Sequence, residues 1–122
     1  EKISVDPPRL SRLLTSLGTD LLYVFTCQTY DPEATIHARA FAPKLGIPED
    51  PATGSAAGAV GAYLSMNKFI SKETCRNIFI EQGHMMGRPS SLFVCIEKNK
   101  DEIKSVRVGG ESVTLIKGEI ST

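Results

Sequence analysis

The sequence lacks an excess charge of either sign, and it lacks a long run of large apolar residues. Its 122 residues carry 14 Lys+Arg and 14 Asp+Glu, which gives a net charge of zero. A neutral chain offers no electrostatic basis for binding nucleic acid or an anionic membrane. The longest uncharged run, residues 51–67, is rich in Ala and Gly and slightly short for a bilayer span. We therefore expect neither nucleic acid nor membrane as a partner.

Cysteine and histidine are also scarce. Cys27, Cys75 and Cys95 make an odd count without any CxxC spacing, which predicts neither a disulfide framework nor a zinc ribbon. Reduced thiols, and a first ten residues without the apolar segment of a signal peptide, predict a cytoplasmic protein. His37 and His84 have no acidic partner at ligand spacing, so the sequence predicts no metal site.

The length and an apolar content of 41% fit one globular domain over residues 1–122. Asp6 and Pro7 are typical of a helix start, and a leucine stripe follows as far as the stop signal at Gly18. A second helix is predicted over residues 53–67. Because its faces are small and uncharged all round, we expect protein on every side of it. Its glycines Gly58 and Gly61 each cost about 1 kcal/mol relative to alanine, a cost that close approach of neighbouring strands would explain.

Apolar and alternating segments predict six strands, at residues 21–27, 35–41, 77–82, 91–97, 103–108 and 112–117. In the second of these, Ile36 and Ala38 fall on one face and His37 and Arg39 on the other. Residues 42–51 contain three prolines and predict a stiffened, irregular loop. The pattern predicts a β-rich α+β domain with one central and one peripheral helix.

The stretch EDPATGSA, residues 49–56, combines a carboxylate with a helix start. The first amides of a helix lack internal partners, so those of Gly54, Ser55 and Ala56 can bind a carboxylate or a phosphate. Asp50 can then meet an adjacent cationic or hydroxyl group. The alternative is an ordinary capped helix in which Thr53 or Ser55 serves only as N-cap. The lysine of a Walker P-loop is absent.

Other polar residues admit two interpretations. Arg39 and Arg88 can pair with acidic residues such as Glu49, or they can neutralise a substrate carboxylate. We expect His37 to be a structural histidine on its strand. His84 is either a surface-loop histidine or a substrate contact.

Three blocks resemble one known family. Residues 39–64, RAFAPKLGIPEDPATGSAAGAVGAYL, resemble the signature of the PhzF-like isomerases, and residues 81–94 and 106–120 are similar to later parts of that family. The resemblance implies one half of a diaminopimelate-epimerase-like fold. In that fold, a curved, mostly antiparallel or mixed sheet wraps around a central helix.

The resemblance also implies a chemistry: proton transfer on a small carboxylate-bearing metabolite, without metal or organic cofactor. Asp50 would take part in catalysis and substrate binding, and Thr53, Gly54, Ser55 and Ala56 would bind the substrate carboxylate. The family's catalytic glutamate lies in an amino-terminal half that has no counterpart here. We therefore expect an inactive chain whose partner is that half or a second copy. The alternative is a non-catalytic module of the same fold that binds small anions or proteins.

Overall fold

The computed structural model describes residues 3–100 and 102–120, and within them it contains two α-helices, six strands and three short 3-10 turns. The helices are α1 (Pro7–Ser16) and α2 (Gly54–Met66). The strands are β1 (Leu22–Thr26), β2 (Ile36–Ala42), β3 (Ile47–Asp50), β4 (Ile78–Gln82), β5 (Ser90–Asn99) and β6 (Glu102–Gly110). The predicted α+β class is confirmed.

All six strands form one mixed sheet. Its order is β1-β2-β4-β5-β6, and β3 pairs with β2 beside this path. The β2–β4 pair is parallel, with Ile36 opposite Ile80, and the other pairs are antiparallel. The sheet curls into a half-barrel against α2, as the resemblance implied.

Strand β2 divides its side chains between two apolar clusters. Ile36 and Ala38 belong to the main core, which lies between the sheet and α2. Phe41 packs on the other face against Leu10 and Leu14 of α1. The alternation predicted for this strand is therefore confirmed, and it places His37 on the face opposite to α2.

The expectation that protein surrounds α2 is wrong on one side. The buried face consists of Ala57, Gly58, Val60, Gly61, Leu64 and Ser65. Tyr63 and Met66, on the opposite side, are 49% and 65% exposed. A half-barrel covers only half of a helix, so the small side chains here serve close packing on one face alone.

Two other local predictions are wrong. The proline-rich loop contains strand β3, whose residue Asp50 lies opposite Ala40 of β2. Pro48 is tolerated there because β3 pairs on one side only, and an edge strand does not need every amide. Residues 112–117 form no strand, and Val113, Leu115 and Ile116 are more than four-fifths exposed. Their alternation finds no neighbouring strand among the described residues.

Neither helix in the described part of the chain has the length and apolar character needed to cross a bilayer.

The glycines of α2 follow from close contact with the sheet. A Cβ at Gly61 would lie 2.8 Å from Cγ1 of Val94, which is buried. At Gly58 it would lie 3.1 Å from Val108, which is 40% exposed and able to shift. The packing therefore explains why helix propensity is given up at Gly61.

We predict that Gly61→Ala lowers the free energy of unfolding by about 1–2 kcal/mol, because overpacking outweighs the gain in helix propensity. Gly58→Ala is the matched control and is expected to be neutral or stabilising. Urea unfolding followed by circular dichroism measures both. Equal effects of the two substitutions would contradict this account.

Candidate active site

The amino terminus of α2 has an unusual arrangement at its cap. Thr53 holds the N-cap position, yet its side chain makes no capping hydrogen bond. Its Oγ1 instead donates to Oδ2 of Asp50 at 2.5 Å. Ser55 is the second residue of the helix and is exposed. The interpretation of either residue as a simple cap is therefore wrong.

The first amides of α2 donate no hydrogen bond to the described residues. The first internal bond of the turn runs from the amide of Ala57 to the carbonyl of Thr53, at 2.9 Å. Within residues 3–100 and 102–120, no oxygen accepts from the amides of Gly54, Ser55 or Ala56. Their partial positive charge and the helix dipole together favour an anion at this point.

Gln82 fixes the geometry beside these amides. Its side chain is fully buried at the end of β4. Nε2 donates to the carbonyl of Asp50 at 2.6 Å and to Oγ1 of Thr53 at 3.0 Å. Oε1 accepts from the amide of Thr53 at 3.3 Å. One amide side chain thus joins the sheet, the Asp50 turn and the start of α2.

Tyr23 completes this network from β1. Its hydroxyl donates to Oε1 of Gln82 at 3.1 Å. Burial, and after it the nearby Asp50 carboxylate, raise the pKa of Tyr23 well above its usual range. The phenol therefore stays protonated and serves as a donor beside Asp50.

Two open grooves reach this helix terminus. One of about 540 Å³ lies between β1 and α2 and includes Tyr23, Ser55 and Ala56. The other, of about 530 Å³, runs toward β5 and β6 and includes Ala52 and Gly54. A small metabolite can therefore approach the amides from solvent, since pockets of this size accommodate such ligands.

The two arginines lie outside this network. Arg39 forms a bidentate ion pair with Glu49. Nε donates to Oε1 and Nη2 donates to Oε2, both at 2.9 Å. The expected pairing of Arg39 with an acidic residue is thus observed. The side chain of Arg88 is exposed and makes no hydrogen bond or ion pair with the described residues.

Sequence reasoning missed Gln82, Tyr23 and Glu81. Two adjacent polar residues, Glu81 and Gln82, at the end of an apolar strand could have indicated a functional position. In the structure both side chains are at most 2% exposed. A buried polar pair needs partners, and these lie far away in sequence. Glu81 also supplies His37 with the acidic partner that the local spacing did not reveal.

Comparison with known proteins gives a consistent result. The model of the family described as phenazine biosynthesis-like protein matches residues 1–118. An uncharacterized isomerase of Clostridium acetobutylicum is 36% identical over 112 residues, covering 91% of this chain and 37% of the relative. The trans-2,3-dihydro-3-hydroxyanthranilate isomerase of Pseudomonas chlororaphis is 41% identical over 83 residues, covering 68% of this chain and 29% of the enzyme. The chain thus spans about a third of the length of these relatives.

A solved structure supports the fold. The Bacillus anthracis phenazine biosynthesis protein of the PhzF family superposes with a TM-score of 0.60 at 23% identity, covering 80% of this chain and 33% of that one. At 23% identity, this structural similarity supports the assignment of the fold alone. The family match over nearly the whole sequence establishes that this chain belongs to the PhzF-like family of phenazine biosynthesis-like proteins.

Proposed function

We propose that this chain is the carboxyl-terminal part of a cofactor-independent isomerase that moves a proton on a small carboxylate-bearing metabolite. The observation that carries the proposal is the uncapped start of α2, open to two grooves and flanked by Asp50. Relatives that are named isomerases support the reaction class.

In this proposal the amides of Gly54, Ser55 and Ala56 bind the substrate carboxylate. Oδ2 of Asp50 already accepts from Thr53, which orients the carboxylate group and leaves its second oxygen to the substrate. Thr53 orients Asp50 and does not itself contact the substrate. Asp50 positions the substrate and assists proton transfer, as a carboxylate next to a reacting carbon can do.

A second part of the site comes from outside these residues. The chain covers only about a third of its relatives, and the resemblance implies that the proton-transferring glutamate belongs to the other half. The β1–α2 groove, with exposed Phe25 and Tyr63, offers that half an apolar surface to cover. We expect the isolated chain to bind the carboxylate but not to turn it over. A second copy is the other candidate for the covering partner.

The sharpest test removes a single amide. Gly54 is the first residue of α2, where proline fits, and a Cβ there would meet only Val108 at 3.8 Å. Gly54→Pro therefore keeps the helix and deletes one N–H, whereas Gly54→Ala adds the same Cβ and keeps the N–H.

We predict that Gly54→Pro weakens binding of a small carboxylate about tenfold, because a hydrogen bond to a charged group contributes about 1.5–3 kcal/mol. Gly54→Ala should bind like the unmodified chain. Calorimetry with 3-hydroxyanthranilate, its neutral carboxamide and inorganic phosphate measures the effect. The carboxylate should bind best. Equal affinity for acid and amide, or equal behaviour of the two variants, would refute the proposed site, and a preference for phosphate would favour a phosphate-binding module instead.

A further inference from the structure

A second cluster of chemistry-bearing side chains lies on the other face of the sheet. His37 and Glu81 lie opposite each other on the parallel strands β2 and β4. Because side chains alternate along a strand, they point away from the face on which Gln82 contacts Asp50. His84 reaches the same place from the short 3-10 turn His84–Met86. The cluster is therefore separate from the candidate active site.

Its histidine nitrogens are buried without protein partners. The side chain of His37 is 8% exposed and its Nδ1 lies 3.0 Å from Oε1 of Glu81. Nε2 of His37 and Nδ1 of His84 are both buried, and neither has a hydrogen-bond partner among the described residues. Two unsatisfied nitrogens in one place are costly, since each loses its hydration on folding. A ligand that accepts both lone pairs would remove that cost.

Glu81 has the properties of a carboxylate that orients a metal-binding histidine. Its Oε1 accepts from the amide of Tyr30 at 2.6 Å, and its Oε2 accepts from the amide of Asp31 at 2.9 Å. The side chain is thus fixed with Oε1 at 3.0 Å from Nδ1 of His37, and an oxygen acceptor at that place favours the tautomer with the proton on Nδ1. This leaves the Nε2 lone pair available, as in carboxylate–histidine–metal arrangements.

The spacing suits a transition-metal ion. One nitrogen of each histidine and one oxygen of Glu81 all lie within 4.8 Å of one another. Two ligands of one Zn²⁺ lie at most about 4 Å apart, because each bond is about 2 Å long. The half-buried His84 ring stacks on Tyr30 at 4.7 Å, and its centroid lies 5.4 Å from that of His37, so the two imidazoles are close to the spacing that one ion requires.

From this geometry we propose that Nε2 of His37 and Nδ1 of His84 bind a divalent transition-metal ion of the Zn²⁺ class, with Glu81 behind His37 as the orienting carboxylate. Imidazole nitrogens select such ions over Mg²⁺ or Ca²⁺. The ion would tie strand β4 and the turn after it to β2. This role is structural and does not depend on the proposed isomerase function.

The test uses the untagged 122-residue chain after chelator treatment. Zn²⁺ is titrated against a chromophoric chelator, and Co²⁺ is titrated by visible absorption. His37→Asn keeps an N–H donor toward Glu81 but has no atom in place of Nε2. His84→Phe keeps the stacking on Tyr30 but removes the nitrogen. Cys27→Ser is the control, because an exposed thiol is a competing zinc ligand.

We predict one Zn²⁺ per chain, and at least about tenfold weaker binding in His37→Asn, in His84→Phe and in Glu81→Gln, which changes the orienting group. Circular dichroism confirms folding of each variant, and His84→Phe alone decides the question if His37→Asn does not fold. Gly54→Pro should bind Zn²⁺ normally. The proposal fails if the folded chain binds no Zn²⁺, if the histidine variants bind it equally well, or if Co²⁺ gives thiolate charge-transfer bands that disappear in Cys27→Ser.

Discussion

Gln82→Leu is expected to lower the free energy of unfolding by roughly 3–4 kcal/mol, because three polar groups lose their partner at once and each such loss costs about 1–3 kcal/mol when buried. These groups are the amide of Thr53, the carbonyl of Asp50 and the hydroxyl of Tyr23. Leucine fills most of the volume but offers neither donor nor acceptor. Urea unfolding followed by circular dichroism measures the loss.

The same substitution should also loosen the candidate active site. Gln82 is the side chain that joins the end of β4 to the turn holding Asp50 and to the N-cap of α2. We therefore expect Gln82→Leu to weaken carboxylate binding under conditions in which the chain is still folded. Gln28→Leu is the matched control: Gln28 is exposed, and its loss should change stability by less than about 0.5 kcal/mol. Equal effects at the two positions would contradict the role given to Gln82.

Gln82→Glu keeps the shape of the side chain and removes its donor, so it isolates the contribution of the Nε2 hydrogen bonds. The introduced carboxyl keeps the acceptor but, when ionised, faces the carbonyl of Asp50 without a proton to donate. Burial beside Asp50 raises the pKa of such a carboxyl in the folded state. A raised folded-state pKa stabilises the fold at low pH and loses that contribution as the pH rises. The loss in free energy of unfolding caused by Gln82→Glu should therefore be smaller near about pH 5 than near about pH 8. The loss caused by Gln82→Leu should show no such pH dependence.

Local signals were sufficient for the helices and for most strands. Asp6 and Pro7 predicted the start of α1, and in the structure Oδ1 of Asp6 accepts from the amide of Arg9 at 2.9 Å. The alternation around Ile36 and Phe41 correctly divided β2 between its two apolar clusters. Such features depend on residues close together in sequence, which is why periodicity and caps predict them.

Features that depend on distant pairing could not be predicted. Gln82 lies 29 residues from Thr53, and His37 lies 44 from Glu81. His37 meets Glu81 because β2 and β4 pair in parallel, and Thr53 comes near Gln82 because β3 and β4 both pair with β2; no local pattern encodes these registers. Residues 112–117 show the converse: alternation around Val113 and Leu115 predicted a strand, but a strand requires a partner. The assignment of Asp50 and the α2 amides to a substrate stays a prediction.

Gly83→Ala should be the most destabilising of the glycine substitutions, at about 4 kcal/mol or more, because a left-handed conformation and a steric clash combine. Gly83 follows β4 with φ of 83°. A Cβ there would lie 2.2 Å from the carbonyl oxygen of Arg88 and 2.9 Å from that of Pro51. Both atoms belong to the backbone, so neither can move aside as a flexible side chain would.

Gly87→Ala isolates the conformational part of this cost. Gly87 has φ of 68°, also left-handed, but nothing lies within 4 Å of its Cβ position, so we expect a loss of only about 1–2 kcal/mol. The excess at Gly83 then measures the contact with Arg88 and Pro51. Since Pro51 directly follows Asp50, relief of that clash must displace the candidate site, and Gly83→Ala should lose carboxylate binding that Gly87→Ala retains. Equal losses of stability in the two variants would mean that the turn after β4 does not press against the Asp50 segment.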